Sequence, residues 1–241
     1  MNKRWDGNRI KDNLFRWFGI LCTLFGLLML SVFLISVIKE GAPRLSAQFF
    51  TSLPSRKPES AGILIPLLGT IWIMVLTSLI AIPLGVASGI YLEEYGKKSR
   101  IASIIEINIT NLAGVPSIIY GLLALEVFVR ILGLGKSLLA GSLTLALLIL
   151  PIIIVATREA LKAVPKTIRE ASYALGATKW QTTWHQVLPA SSGGIVTGVI
   201  LAISRAIGET APLIVIGAML YITTVPSSPM DDFSVLPIQI F

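Results

Sequence analysis

The sequence predicts an all-α integral membrane protein. Of its 241 residues, 54% are hydrophobic and only 14% are charged, where a soluble domain carries about a quarter charged. The mean hydropathy is +0.80. Long uncharged runs alternate with short segments that hold nearly all the Lys and Arg. The single Cys22 lies in an apolar run and His185 is the only histidine, which excludes a disulfide framework, a thiolate cluster and a multi-histidine metal site. The net charge of +7 is dispersed over loops, a pattern that orients spans in a bilayer. It builds no compact face for nucleic acid.

Residues 1–16 read as a cytoplasmic tail bearing Lys3, Arg4, Arg9, Lys11 and Arg16. Trp17–Ile38 is uncharged over 22 residues, enough to cross a hydrocarbon core of about 30 Å. It is longer than a signal-peptide core and lacks a small-residue cleavage site, so it reads as a retained first span. Residues 17–61 comprise that helix and an outer connection punctuated by Pro43, Pro54 and Pro58.

Residues 62–225 are the expected core, with four further spans. Between Glu59 and Glu93 lie 33 uncharged residues, more than one helix needs, so a long or tilted span is expected. Pro66 and Pro83 mark its irregularities, and Gly85 and Gly89 offer a face of small residues for close helix packing. EEYGKKSR reads as a short inner loop, and Ile101–Thr110 as a short helix containing Glu106. Asn111–Phe128 reads as the third span, with Pro116 and Gly121 inside it. Glu126 and Arg130 share a helical face at a spacing of four. They suit either a surface ion pair or an anion-attracting outer rim. Ser137–Thr157, 21 uncharged residues, is the fourth span, with a kink expected at Pro151. After a polar loop at 158–190 a fifth span runs from Ala190 to Thr224, and residues 226–241 read as a polar outer tail. On this topology the inner segments hold five, three and five basic residues and the outer ones four, two and none. That asymmetry makes the N-terminus and the 158–190 loop cytoplasmic.

The loop contains KAVPKTIREASYALGATKWQTTWHQVLP. Pro165 suits a helix start; Ile168, Ala171 and Leu175 recur at helical spacing, and Gly176 is placed as a left-handed stop. A second helical segment begins near Lys179. Two short helices joined at a glycine suit a docking knob, or an amphipathic segment lying on lipid. In the fifth span, Arg205 and Glu209 are four apart, with Arg205 about 15 Å beyond Ile195 and near the middle of the span. Ionisable residues at that depth mark either a neutralising structural pair or a pathway. As a pathway, the arginine would offer forked donors to an oxyanion, with Glu209 holding it and partly offsetting its charge.

Glu170-Ala171-Ser172, Gly176 and Leu188-Pro189 resemble the cytoplasmic signature of ABC importer permeases of the type I, MetI-like fold. Ser172 stands where that signature has alanine, and Gln186 where it has an aliphatic residue. SRAIGETAPL resembles a late helix of the A-type permeases of phosphate-specific ABC importers, as do GILIPLLGTIW, PLGVASGIYLEEY, NLAGVPSIIYGL and PIIIVATREALKAVP. The resemblance implies that Glu170, Ala171, Gly176, Leu188 and Pro189 couple the chain to an ATPase, and that Arg205 and Glu209 line the path. It implies a non-catalytic subunit with no cofactor of its own, ATP and Mg2+ residing on the ATPase. The implied partners are a homologous C-type permease, an ATPase homodimer, an extracytoplasmic phosphate-binding protein and membrane lipid, with no nucleic acid. Sulfate, molybdate or tungstate are the alternative cargoes, and a membrane-embedded enzyme or assembly factor a remote alternative. The family has six spans, so five of six are expected here, through truncation or as a five-span variant.

Overall fold

The computed structural model describes residues 3–55, 57, 61–96, 100–219 and 221–240, all helical or irregular apart from one isolated β-bridge, Ser137 with Asp232. Lys97 and Lys98 of the expected inner loop, and Glu59 ahead of the second uncharged run, lie outside the described residues. The chain forms two units, Met1–Ser52 and Leu53–Phe241. In the first, α1 (Lys3–Gly41) is one helix that takes in most of the expected tail. The successive residues Leu27, Leu28, Met29 and Leu30, which point to different sides, are all exposed on it, as suits a helix hydrophobic on every side. The short α2 (Ala47–Thr51) is capped by Ser46, whose hydroxyl accepts from the Phe49 N–H.

In the second unit, α3 (Leu64–Ile90) continues through a π-helical turn, Tyr91–Tyr95. Then come α4 (Arg100–Ala113), α5 (Ser117–Ala124) with a π-helical extension Leu125–Ile131, and α6 (Leu138–Lys162). The short α7 (Lys166–Ala174) and α8 (Lys179–Thr182) follow, with a π-helical turn Thr183–Val187 leading into α9 (Leu188–Ile207) and α10 (Ala211–Ile216). Among the described residues, four helices are long and apolar enough to cross a membrane, beginning at Arg9, Leu64, Leu138 and Lys179, and the α4–α5 pair makes a fifth if counted as one broken span.

The core is the packing of α3 and α9 against α6. A Cβ on Gly85 would come within 2.7 Å of Ile153 Cγ2, and one on Gly89 within 2.7 Å of Thr157 Cβ, so only glycine allows this backbone approach. On the other side of α6, Ala156 and Ala160 meet Gly198 and Gly194 of α9. Small residues are what helix pairs need where lipid supplies no hydrophobic drive to associate. Ala81, Ile149, Ile153 and Ala202 fill the centre. Pro151 lies buried within α6 without ending it.

Two spans differ from their expected form. The third is bent by 108° between α4 and α5. Proline at 116 lacks an N–H and drives Val115 out of helical geometry. Each arm is about 21–23 Å long, too short to cross alone. The Tyr120 hydroxyl donates to the Leu112 carbonyl at 2.8 Å and bridges the bend. The fifth helix ends at Ile207, far short of Thr224, and α10 then packs on α5 where Gly121 admits Pro212.

The segment after Gly217 folds back instead of forming a polar tail. Gly217 adopts φ +104°, a left-handed turn natural to glycine. Met219 N–H donates to the Phe233 carbonyl at 3.0 Å. Phe233, Val235 and Ile238 are buried with Ile73, Leu138, Leu145 and Leu213. The returning chain also caps α6. Leu138 and Leu139 donate to the carbonyls of Asp231 and Pro229 at 3.0 and 2.8 Å, while Ala140 and Gly141 donate to the Ser137 side chain and carbonyl. The N–H groups of the first three residues of α6, which a helix start leaves open, are thus satisfied, and that of Gly141 begins the helix's own ladder.

Candidate functional site

The cytoplasm-assigned loop is built as the sequence suggests at its turn and differently at its faces. Gly176 takes φ +83°, with Ala177 N–H bonded to the Ser172 carbonyl and Gly176 N–H to that of Tyr173. This double bond is the Schellman stop of a helix. Thr178 and Gln181 then form a reciprocal capping box at the start of α8. The expected stripe of Ile168, Ala171 and Leu175 is divided between faces. Ile168 packs beside Leu161, Val164 and Val187, whereas Ala171 and Leu175 are exposed, Leu175 to 89%. Glu170 is exposed beside them. The inward face also carries Arg169 and Ser172, both partly buried.

The two departures from the signature acquire physical roles. The Ser172 hydroxyl lies 2.9 Å from that of Thr182 and ties α7 to α8, which alanine would not do. Gln186 is exposed, and the adjacent Val187 is fully buried. The wider π-helical turn at Thr183–Val187 brings an aliphatic side chain inward one position later. Leu188 is partly buried, and Pro189 opens α9, where its missing N–H costs little.

Arg205 lies in the last turn of α9 and its Nε is 3.7 Å from Glu209 Oε1. Helical geometry lapses at Gly208, so the pair straddles the break between α9 and α10. Arg205 is beyond the middle of its helix, and its side chain is 50% exposed against 16% for Glu209. At that separation the pair is an ion pair without a short hydrogen bond, which leaves the guanidinium donors open to another acceptor. Glu126 and Arg130 form a 2.8 Å bond on an exposed surface. They are not part of the Arg205 pair.

Residues 81–237 match the family described as the inner membrane component of binding-protein-dependent transport systems. The chain belongs to that family. This permease is 34% identical to the probable ABC transporter permease protein YqgI of Bacillus subtilis, over 82% of the chain and 67% of that relative. It is 37% identical to the phosphate transport system permease protein PstA of Haemophilus influenzae, over 88% and 75%. Identity is also 37% to PstA 1 of Mycobacterium tuberculosis, over 86% and 69%. The permease is thus a multi-pass inner-membrane transport subunit, not an enzyme.

A second charged cluster was missed by reading the sequence. Glu93 and Glu94 are buried in the π-helical turn after α3 instead of lying in a loop. Glu94 Oε1 accepts from Arg169 Nη2 at 2.7 Å and Nε at 3.2 Å. Arg158 Nη1 lies 2.7 Å from Glu106 Oε1, with its Nε 3.8 Å from Glu93 Oε2. A cavity of about 350 Å³ opens beside Glu93, Glu106, Arg158 and Lys162. The one available signal was two adjacent glutamates ending a long apolar run.

Proposed function

We propose that this permease carries inorganic phosphate inward past Arg205 and Glu209, driven by a cytoplasmic ATPase dimer that grips α7 and α8. The observation that carries the reading is the half-exposed Arg205, loosely paired with Glu209 at a break in its helix, in a chain similar to PstA proteins. A fixed cation attracts an oxyanion, and a carboxylate nearby offsets the charge so that the anion is released. The forked donors suit a tetrahedral oxyanion.

The N-terminus lies in the cytoplasm on this reading, as the distribution of basic residues requires. α7 then presents Glu170, Ala171 and Leu175 to a groove on the ATPase, a helix-in-groove contact, with Gly176 fixing the turn and Leu188-Pro189 the return to the membrane. A C-type permease completes the path and an extracytoplasmic binding protein delivers the anion. ATP and Mg2+ act on the ATPase alone.

The test is uptake of radiolabelled phosphate by proteoliposomes holding the complete complex. Arg205→Ala is expected to abolish uptake while the ATPase still co-purifies. Normal uptake by Arg205→Ala defeats the path assignment. Uptake of sulfate, molybdate or tungstate that excess phosphate does not reduce would reassign the cargo.

A further inference from the structure

Arg169 lies on α7, yet its side chain turns away from the exposed Glu170, Ala171 and Leu175. It joins three parts of the fold at once. Nε and Nη2 donate to Glu94 at the end of α3. Nη1 donates to the Val164 carbonyl and Nη2 to that of Leu161, where α6 ends, at 2.8 and 2.9 Å. Side-chain exposure is 14% for Arg169 and 5% for Glu94. The neighbouring Glu93 faces Arg158 of α6, which in turn holds Glu106 of α4. Two successive carboxylates are buried together because both fall in the π-helical turn Tyr91–Tyr95, and such turns are frequent at functional sites.

We propose that the Arg169–Glu94 pair is the rigid joint through which movement of α7 reaches α3 and α6, so that both are positioning residues for coupled transport. The inference rests on the proposed importer function. Its physical basis is that α7 has only nine residues and is bounded by Pro165 and by the turn at Gly176. Backbone alone would let it swivel when its outer face is pulled. A guanidinium fork bonded to a carboxylate and two carbonyls fixes both angle and position, which an ammonium on a flexible stem does not.

The test reconstitutes the complete complex with wild-type chain, Arg169→Ala, Arg169→Lys and Glu94→Gln. Phosphate uptake, ATP hydrolysis and ATPase retention are measured together. All three variants are expected to retain the ATPase and hydrolyse ATP, while uptake per ATP falls about tenfold, within the range for residues that carry coupling. Failure of Arg169→Lys distinguishes the fork from a mere need for positive charge. Unchanged uptake per ATP in Arg169→Ala and Glu94→Gln would overturn the joint. So would loss of the ATPase in step with uptake, which would make Arg169 a docking or folding residue.

A second readout is independent of cargo. Spin labels on Lys166→Cys and Ser103→Cys, in a Cys22→Ser background, report the distance between α7 and α4. Wild type should give a narrow distribution and Arg169→Ala a broad one; equal widths overturn the joint. If the wild-type complex takes up no phosphate, the functional reading fails, while these distances still judge the joint.

Discussion

Phe233→Ala tests whether the returning C-terminal segment belongs to the fold. The ring is 1% exposed and packs with Ile73, Leu138 and Leu145, its edge lying against Gly141. Truncating an enclosed phenylalanine costs about 3–5 kcal/mol. If the whole cost falls on docking of this segment, its closing equilibrium weakens by roughly two to three and a half orders of magnitude. The chain has four aspartates, Asp6, Asp12, Asp231 and Asp232, so a protease that cuts before aspartate reports on the segment directly. When opening and closing are fast, cleavage tracks the open population. Cleavage at 231–232 should therefore accelerate by a comparable factor in detergent-solubilised Phe233→Ala. Met230→Ala, at a position 53% exposed, should change stability by less than about 0.5 kcal/mol. Equal cleavage of Phe233→Ala and wild type would refute the packing argument.

Further outcomes follow from single sites. Gly176→Ala meets no steric obstacle, since nothing lies within 4 Å of the added Cβ; its penalty is the left-handed backbone alone, about 1–2 kcal/mol. ATPase co-purification should weaken, and Gly176→Asn should retain more than Gly176→Ala because asparagine tolerates that conformation. The exposed Glu126–Arg130 bond should contribute less than about 1 kcal/mol to thermal stability. If it is an outer rim, Arg130→Gln lowers initial uptake at low salt and not at high salt; equal loss at both, or none, leaves it a surface pair. Asp231 is held below its ordinary carboxylate pKa of 3.8 by the Ser227 and Ser228 N–H groups, which donate to its side chain. A depressed folded pKa means that this stabilisation is present above the unfolded value and is lost as pH falls through the folded one. Protection of the 227–231 turn should therefore decline below about pH 4, read by amide exchange. Asp231→Asn should remove that pH dependence.

The spans and the Gly85–Gly89 seam were legible because lipid and close packing each impose a strong one-dimensional pattern: charge-free length for one, small residues four apart for the other. Pro116 was visible as an irregularity, but whether a proline kinks, breaks or merely interrupts one hydrogen bond depends on its neighbours. Pro151 stays inside a continuous helix, while Pro116 follows Gly114 at a bend of 108°. The tail read as polar because Ser227, Ser228, Asp231 and Asp232 cluster in its first half, beside Pro226 and Pro229. Apolar residues follow them in the second half of the segment, and Phe233, Val235 and Ile238 of these pack into the core.

The two faces of α7 show why the candidate site was only half readable. Helical spacing groups Ile168, Ala171 and Leu175 as one stripe, but spacing does not say which neighbours exist. Val164 and Val187 take up Ile168, and Glu94, distant in sequence and buried by a π-helical turn, claims Arg169. The Arg169 charge is thereby drawn inward, and two apolar residues are left facing out. An exposed Leu175 has no reason to lie there in an isolated chain. Its exposure beside Ala171, with the opposite face fixed by an arginine fork, is the arrangement a helix needs if a partner pulls on one side and the membrane spans are to follow on the other.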